Sequence, residues 1–113
     1  MIFRALSRRS LLAVGIVGLL TTLPAQAQET PIKFQLDWRF EGPSAFFLLP
    51  VANGQFKAEK LNVTIDSGNG SGNAVNRVAS GTYDMGFADL AALMEFHANN
   101  PTAPNKPVAV MMV

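Results

Sequence analysis

Asn62-Val63-Thr64-Ile65-Asp66-Ser67-Gly68-Asn69-Gly70-Ser71-Gly72-Asn73-Ala74-Val75 carries a strand into a helix through a loop with three glycines in five residues. Val63 and Ile65 fall on one face of an extended segment, Asn62 to Asp66. Ala74, Val75, Val78 and Ala79 make a short apolar stripe at helical spacing, and Gly81 suits the C-terminal cap. Glycines at this junction let backbone N–H groups approach a ligand, and the positive end of the helix faces it. Such a loop suits an anionic or strongly polar group on a small molecule. Taken alone, a Gly/Asn/Ser run is more often a plain surface turn. It is no Walker phosphate loop, because no Gly-Lys-Ser/Thr follows. The even spacing of Gly68, Gly70 and Gly72, with Asn73 next, also departs from Gly-x-Gly-x-x-Gly.

The flanking sequence repeats the alternation. Ile32 to Leu36 alternates apolar and polar residues as a strand does, and Asp37 to Pro43 is a loop. Ser44 to Ala58 is expected to be helical, with Ser44 as N-cap and Phe46, Phe47, Leu49, Val51 and Phe56 as apolar surface. Pro50 should kink or split that helix, and Asn53-Gly54 marks a break. Tyr83 to Ala88 reads as the next strand, and Asp89 caps a helix carrying Leu90, Leu93, Met94 and His97. Asn99 to Lys106 is a Pro/Asn loop, and Pro107 to Val113 is an apolar strand. The order β-α-β-α-β-α-β predicts an α/β fold with a mostly parallel sheet covered by helices on both faces.

In open sheets of this kind, ligands bind beyond the carboxyl ends of the strands. Three loops are expected there: Asp37 to Gly42, Ser67 to Asn73, and Ala88-Asp89. They bring an aromatic pair, the glycine run and an acid at a helix start. That convergence turns the glycine run from a surface turn into one wall of a binding site.

Composition narrows the function further. Arg4, Arg8 and Arg9 precede the apolar run Leu11 to Leu20, and Ala25-Gln26-Ala27 is a small-x-small cleavage site. Residues 1–27 are thus expected to be a signal peptide and residues 28–113 the folded part. Ser7-Arg8-Arg9-Ser10-Leu11-Leu12 resembles the twin-arginine export motif, with Leu at the usual Phe and no following Lys, so both that route and the general secretory one stay open. The absence of cysteine excludes disulfides, thiolate metal sites, a Cys nucleophile and a lipid-modified Cys. Export without those features fits a periplasmic protein held together by its core.

Three of the nine Lys/Arg lie in the signal, leaving six against eight Asp/Glu and a net charge of −2. No nucleic-acid surface is expected. His97, the single histidine, is expected to pack against its own helix face, since no second His or Cys completes a metal site. The methionines read as gap-filling core, and no nucleophile elbow is present. Val108 to Val113 ends on an apolar strand with nothing after it to cap the sheet, so a longer protein is expected.

An ordered set of segments resembles one family. The set comprises Phe34-Gln35-Leu36-Asp37-Trp38, Ala52-Asn53-Gly54-Gln55-Phe56-Lys57-Ala58-Glu59-Lys60-Leu61-Asn62-Val63, Gly68 to Asn73, and Val78-Ala79-Ser80-Gly81-Thr82-Tyr83-Asp84-Met85-Gly86 with Phe87-Ala88-Asp89. Together they are similar to solute-binding proteins of ABC importers in the thiamine-pyrimidine-precursor and nitrate/sulfonate/taurine group. The resemblance implies a type II periplasmic-binding-protein fold of two α/β lobes closing on a ligand. This chain would hold the first part of lobe one, with the second lobe missing.

It further implies capture of a small polar or anionic organic solute, a pyrimidine thiamine precursor, sulfonate or nitrate-like. The partners would be a membrane permease and an ATPase, the protein a monomer without cofactor or catalysis. Trp38 matches the tryptophan that lines the cleft and stacks on a ring. Gly70, Ser71 and Gly72 match the loop whose amides and hydroxyl receive the polar end, and Asn73 adds a side-chain amide. Asp89 matches the position after the third strand, with capping of its own helix an equal explanation. The sequence departs from the family at Arg39-Phe40-Glu41-Gly42-Pro43, where a His or an Asn-rich stretch is common, and at Pro50. A pyrimidine-precursor synthase-like enzyme and a ligand-sensing domain are the alternative readings on the same fold.

Overall fold

β1, Thr30–Gln35, and β2, Leu61–Asp66, run parallel in unbroken register from Thr30 opposite Leu61 to Gln35 opposite Asp66. The structure, a computed structural model, describes residues 28–113. The export segment expected over residues 1–27 lies outside the described residues. β3, Met85–Gly86, pairs parallel with the other edge of β1, placing Phe34 opposite Met85 and Gln35 opposite Gly86. The strand order is therefore β2-β1-β3, with β1 in the centre.

Helices connect these strands. A 3₁₀ turn at Gly42–Ser44 leads into α1, Ala45–Ala52, and α2, Gln55–Ala58. α3, Ser71–Ala79, joins β2 to β3, and α4, Leu90–Asn99, follows β3. Successive strand residues point to opposite faces, so Phe34 and Gln35 report the two sides of the sheet. The Phe34 ring lies 5.5 Å from Phe47 of α1, and Phe47 lies 5.1 Å from Phe87. On the other side, Gln35 Oε1 accepts a hydrogen bond from Arg77 of α3 at 3.0 Å. α1 thus covers one face and α3 the other, with α4 packed on α3. The expected α/β arrangement, a parallel sheet flanked by helices, holds for three strands.

Three features of the helices differ from expectation, each for a local reason. Pro50 sits inside α1 without splitting it, and the break falls at Asn53-Gly54, where Gly54 adopts φ +71. Ser44 holds the N-cap position of α1 as expected, but its side chain makes no capping bond. Gly42 and Pro43 already form a turn ahead of it, so its hydroxyl folds back to accept from Glu41 N and donate to Arg39 O, each at 3.1 Å. α3 begins at Ser71 rather than Ala74; its first turn, Ser71-Gly72-Asn73, is polar and carries no apolar periodicity to mark it in the sequence.

The fourth strand expected over Pro107 to Val113 does not form, and Val108, Val110, Met111, Met112 and Val113 are 72–80% exposed. β3 is two residues long and offers almost no outer ladder, and Pro107 has no N–H to contribute.

Among the described residues, Leu36, Ala74 and Val75 are the buried apolar side chains, while Phe46 is 65% exposed. The sheet is therefore held largely by its ladder and by buried polar contacts. No helix among the described residues is long and apolar enough to cross a membrane.

Candidate functional site

The helix after β1 covers one face of the sheet, and the helix after β3 packs with α3 on the other. β1 and β3 are neighbours, so the chain leaves them in opposite directions and opens a crevice beyond their carboxyl ends. This reversal of connection is where open α/β sheets hold ligands. A hollow of about 340 Å³ lies there, lined among others by Leu36, Asp37, Trp38, Phe47 and Phe87.

A larger hollow of about 570 Å³ lies between α3, β3, α4 and residues 106–113. Its lining includes Asp84, Phe87 and Asp89 and much of the unpaired segment. The smaller crevice sets Trp38 and Asp37 beside Phe47 and Phe87 at the strand reversal, so it is the candidate site.

Of the three loops beyond the strand ends, the loop after β1 lines the crevice, whereas Gly70, Ser71, Gly72 and Asn73 do not and Asp89 borders the larger hollow. Ser71 joins these loops. Its hydroxyl donates to Asp37 Oδ2 at 3.1 Å and accepts the backbone N–H of Asp89 at 3.0 Å. One side chain at the start of α3 thereby ties the ends of β1 and β3 together. The glycine run is fixed from the same side. Gly68 N donates to Trp38 O at 2.9 Å, and Gly70 N donates to Asp37 O at 2.6 Å. A Cβ at Gly68 would collide with the carbonyl oxygen of Leu36 and lie 2.7 Å from the Asp37 carbonyl carbon. Glycine is required at 68 because two backbones cross there.

Of the residues expected from sequence, Ser71 is at the centre of this arrangement. Gly70 is the N-cap of α3 at φ +132, a conformation that suits glycine. Trp38 is 51% exposed on the loop after β1, and the Arg39 guanidinium carbon lies 5.7 Å from its ring centroid. Asp89 caps its own helix, with its carboxylate accepting from Ala91 N at 2.9 Å, while its N–H reaches Ser71. Gly72 and Asn73 lie exposed in the first turn of α3, with open space where a Cβ at Gly72 would project. The structure brings Ser71, Gly70 and the Asp89 backbone together, with Trp38 next to Asp37. The Asn73 side chain makes no hydrogen bond to the others among the described residues.

Sequence reading missed Asp37 and Gln35. Asp37 is half-buried and anchors both Ser71 and Gly70. Gln35 is fully buried, its amide N–H donating to Ser67 O at 2.7 Å and Leu36 O at 3.0 Å while Oε1 takes Arg77. It clamps the first residue of the glycine loop to the end of β1. A signal for it existed: in a sheet covered on both faces, the polar positions of the central strand are enclosed and need partners.

On the far side of Gln35, the Tyr83 hydroxyl donates to Asp66 Oδ2 at 2.9 Å, and Arg77 lies 5.8 Å from the Tyr83 ring. The hydrogen bond to Asp66 raises the phenol above its usual range. Burial and the carboxylate charge add to the rise, and Arg77 opposes it. His97 Nε2 lies 2.7 Å from Pro107 O, in hydrogen-bond reach of the segment after α4 rather than at the crevice. No group of three or more His, Cys, Asp or Glu suited to a metal ion occurs among the described residues.

No family model, curated protein or solved structure matches the chain. What the crevice can do chemically rests on its own residues. It offers aromatic walls for a ring and carboxyl groups beside them.

Proposed function

We propose that this chain is the ligand-facing part of lobe one of a periplasmic solute-binding protein that serves an ABC importer. The observation that carries this reading is the crevice at the reversal between β1 and β3, with Ser71 joining the three loops beside it. The segment order from Phe34 to Asp89 supports it, as does the export-type sequence of residues 1–27. In this reading, Trp38 stacks on a planar part of the solute, and the turn at Gly70, Ser71 and Gly72 borders its polar part. Asn73 and the Asp89 loop complete the rim. A second lobe closes over the open side, and a permease with its ATPase receives the solute.

Binding to the native state alone raises the melting temperature by mass action, by about 2.7 kcal/mol of stability at a hundred times the dissociation constant. A thermal-shift screen against aminopyrimidines, sulfonates, nitrate and aromatic acids tests the reading. A saturable shift with one chemical class supports it. Turnover of a solute without any shift across the set would replace transport by catalysis.

A further inference from the structure

The crevice has a charge pattern that selects among solutes. Its lining includes the carboxyl-bearing Asp37 and Glu41, the ring of Trp38, and Phe47 and Phe87, with Arg39 as the one basic side chain. That guanidinium lies 5.7 Å from the Trp38 centroid, so the ring already holds a planar cation supplied by the chain itself. Ser71 donates to Oδ2 of Asp37, and among the described residues no hydrogen bond reaches Oδ1. An anion entering here would meet the half-buried Asp37 at close range in a setting where like charges repel strongly.

We infer that the crevice takes a planar cationic group, an amidinium, a guanidinium or a protonated amino-heterocycle, stacked on Trp38 in the position of Arg39 and hydrogen-bonded to Asp37. This rests on the solute-binding reading and replaces its anionic option with a cationic one. The glycine turn then acts as a wall that holds Asp37 in place through Gly70 N and Ser71 Oγ. A flat cation satisfies aromatic face and carboxylate at once, which neither nitrate nor a sulfonate does.

Three probes of one shape and different charge test this on the full chain: benzamidine, benzamide and benzoate. Trp38 is the sole tryptophan, so quenching of its fluorescence reports occupancy directly. Benzamidinium is expected to bind about tenfold more tightly than benzamide, with benzoate weakest, and added salt should narrow the gap. Asp37→Asn keeps an acceptor for Ser71 and should abolish the cation preference, while Glu41→Gln should reduce it a few-fold.

Equal or tighter binding of benzamide or benzoate overturns the inference and leaves solute binding intact. An unchanged preference in both variants overturns it as well. Quenching by none of the three also overturns it, and the wider thermal-shift screen then decides separately whether the chain binds a solute.

Discussion

Ser71 Oγ accepts the backbone N–H of Asp89 at 3.0 Å, joining the first residue of α3 to the N-cap of α4. The same hydroxyl donates to Asp37, so one small side chain fixes the relative positions of three loops. Its removal would leave an N–H and a carboxylate oxygen to find water at a partly enclosed junction.

Ser71→Ala is therefore expected to lower stability by about 2 kcal/mol, the sum of one neutral and one charge-assisted hydrogen bond. Urea unfolding measures this directly. A loss under about 0.5 kcal/mol would mean that the two contacts are replaced by solvent at no cost. Ser71→Thr keeps the hydroxyl and should recover most of the loss.

The glycines of the loop should behave in opposite ways. At Gly68 a methyl meets the backbones of Leu36 and Asp37, which cannot yield as a side-chain tip would. Gly68→Ala should cost about 3 kcal/mol, at the upper end of overpacking penalties. At Gly72 nothing lies within 4 Å of an added Cβ, and the residue is helical. Gly72→Ala should hold or gain stability by up to about 1 kcal/mol through helix propensity. Parallel thermal melts of the two variants separate them, and equal losses would contradict the backbone crossing at Gly68. Gly72→Val should remain folded yet reduce solute binding if the turn borders the crevice.

Gln35 gives the third expectation. Gln35→Leu preserves size but strands Ser67 O, Leu36 O and the Arg77 guanidinium, all now served by one buried amide. A destabilisation of about 3 kcal/mol follows from leaving such groups unsatisfied. Gln35→Glu retains an acceptor for Arg77 but loses the donor to Ser67, and should fall between the wild type and Leu. Hydrogen exchange across residues 67–70 would show faster opening in both, since the clamp on the loop is lost. Unchanged exchange there would assign Gln35 to β1 alone.

The alternation of strand and helix was legible because Val63 with Ile65, and Ala74 and Val75 with Val78 and Ala79, follow periods of 2 and 3.6 that burial imposes. Gly68 stood out through its loop, although the reason for it, a carbonyl of a different strand, is a non-local fact. Asp37 was silent, and Gln35 showed only as a polar position on a covered strand, without naming its partners. Their roles depend on β2 and α3 lying beside β1, and no local pattern encodes a partner more than thirty residues away. The apolar run after Lys106 misled for a related reason. Its composition favours a strand, but pairing needs an edge to pair with, and β3 presents two residues. Trp38, Gly70 and Ser71 were readable as loop residues at a strand end. The way Ser71 binds Asp37 and the Asp89 backbone came only with the fold.

Tyr83 offers a measurement free of overlap, because it is the only tyrosine in the chain. Its hydroxyl donates to Asp66, which raises its pKa from the ordinary value of 10.0, with Arg77 pulling the other way. A phenol whose folded pKa is raised binds its proton more tightly when folded than when unfolded. Its contribution is fully present below the unfolded value and is lost as pH rises through the folded one, so the window lies above pH 10.0. Phenolate absorbance should give a midpoint above 10.0 in the folded chain and a return toward that value in urea. Asp66→Asn should lower the folded midpoint and Arg77→Leu should raise it. A native midpoint at or below 10.0 would mean that the Tyr83–Asp66 hydrogen bond does not persist in solution.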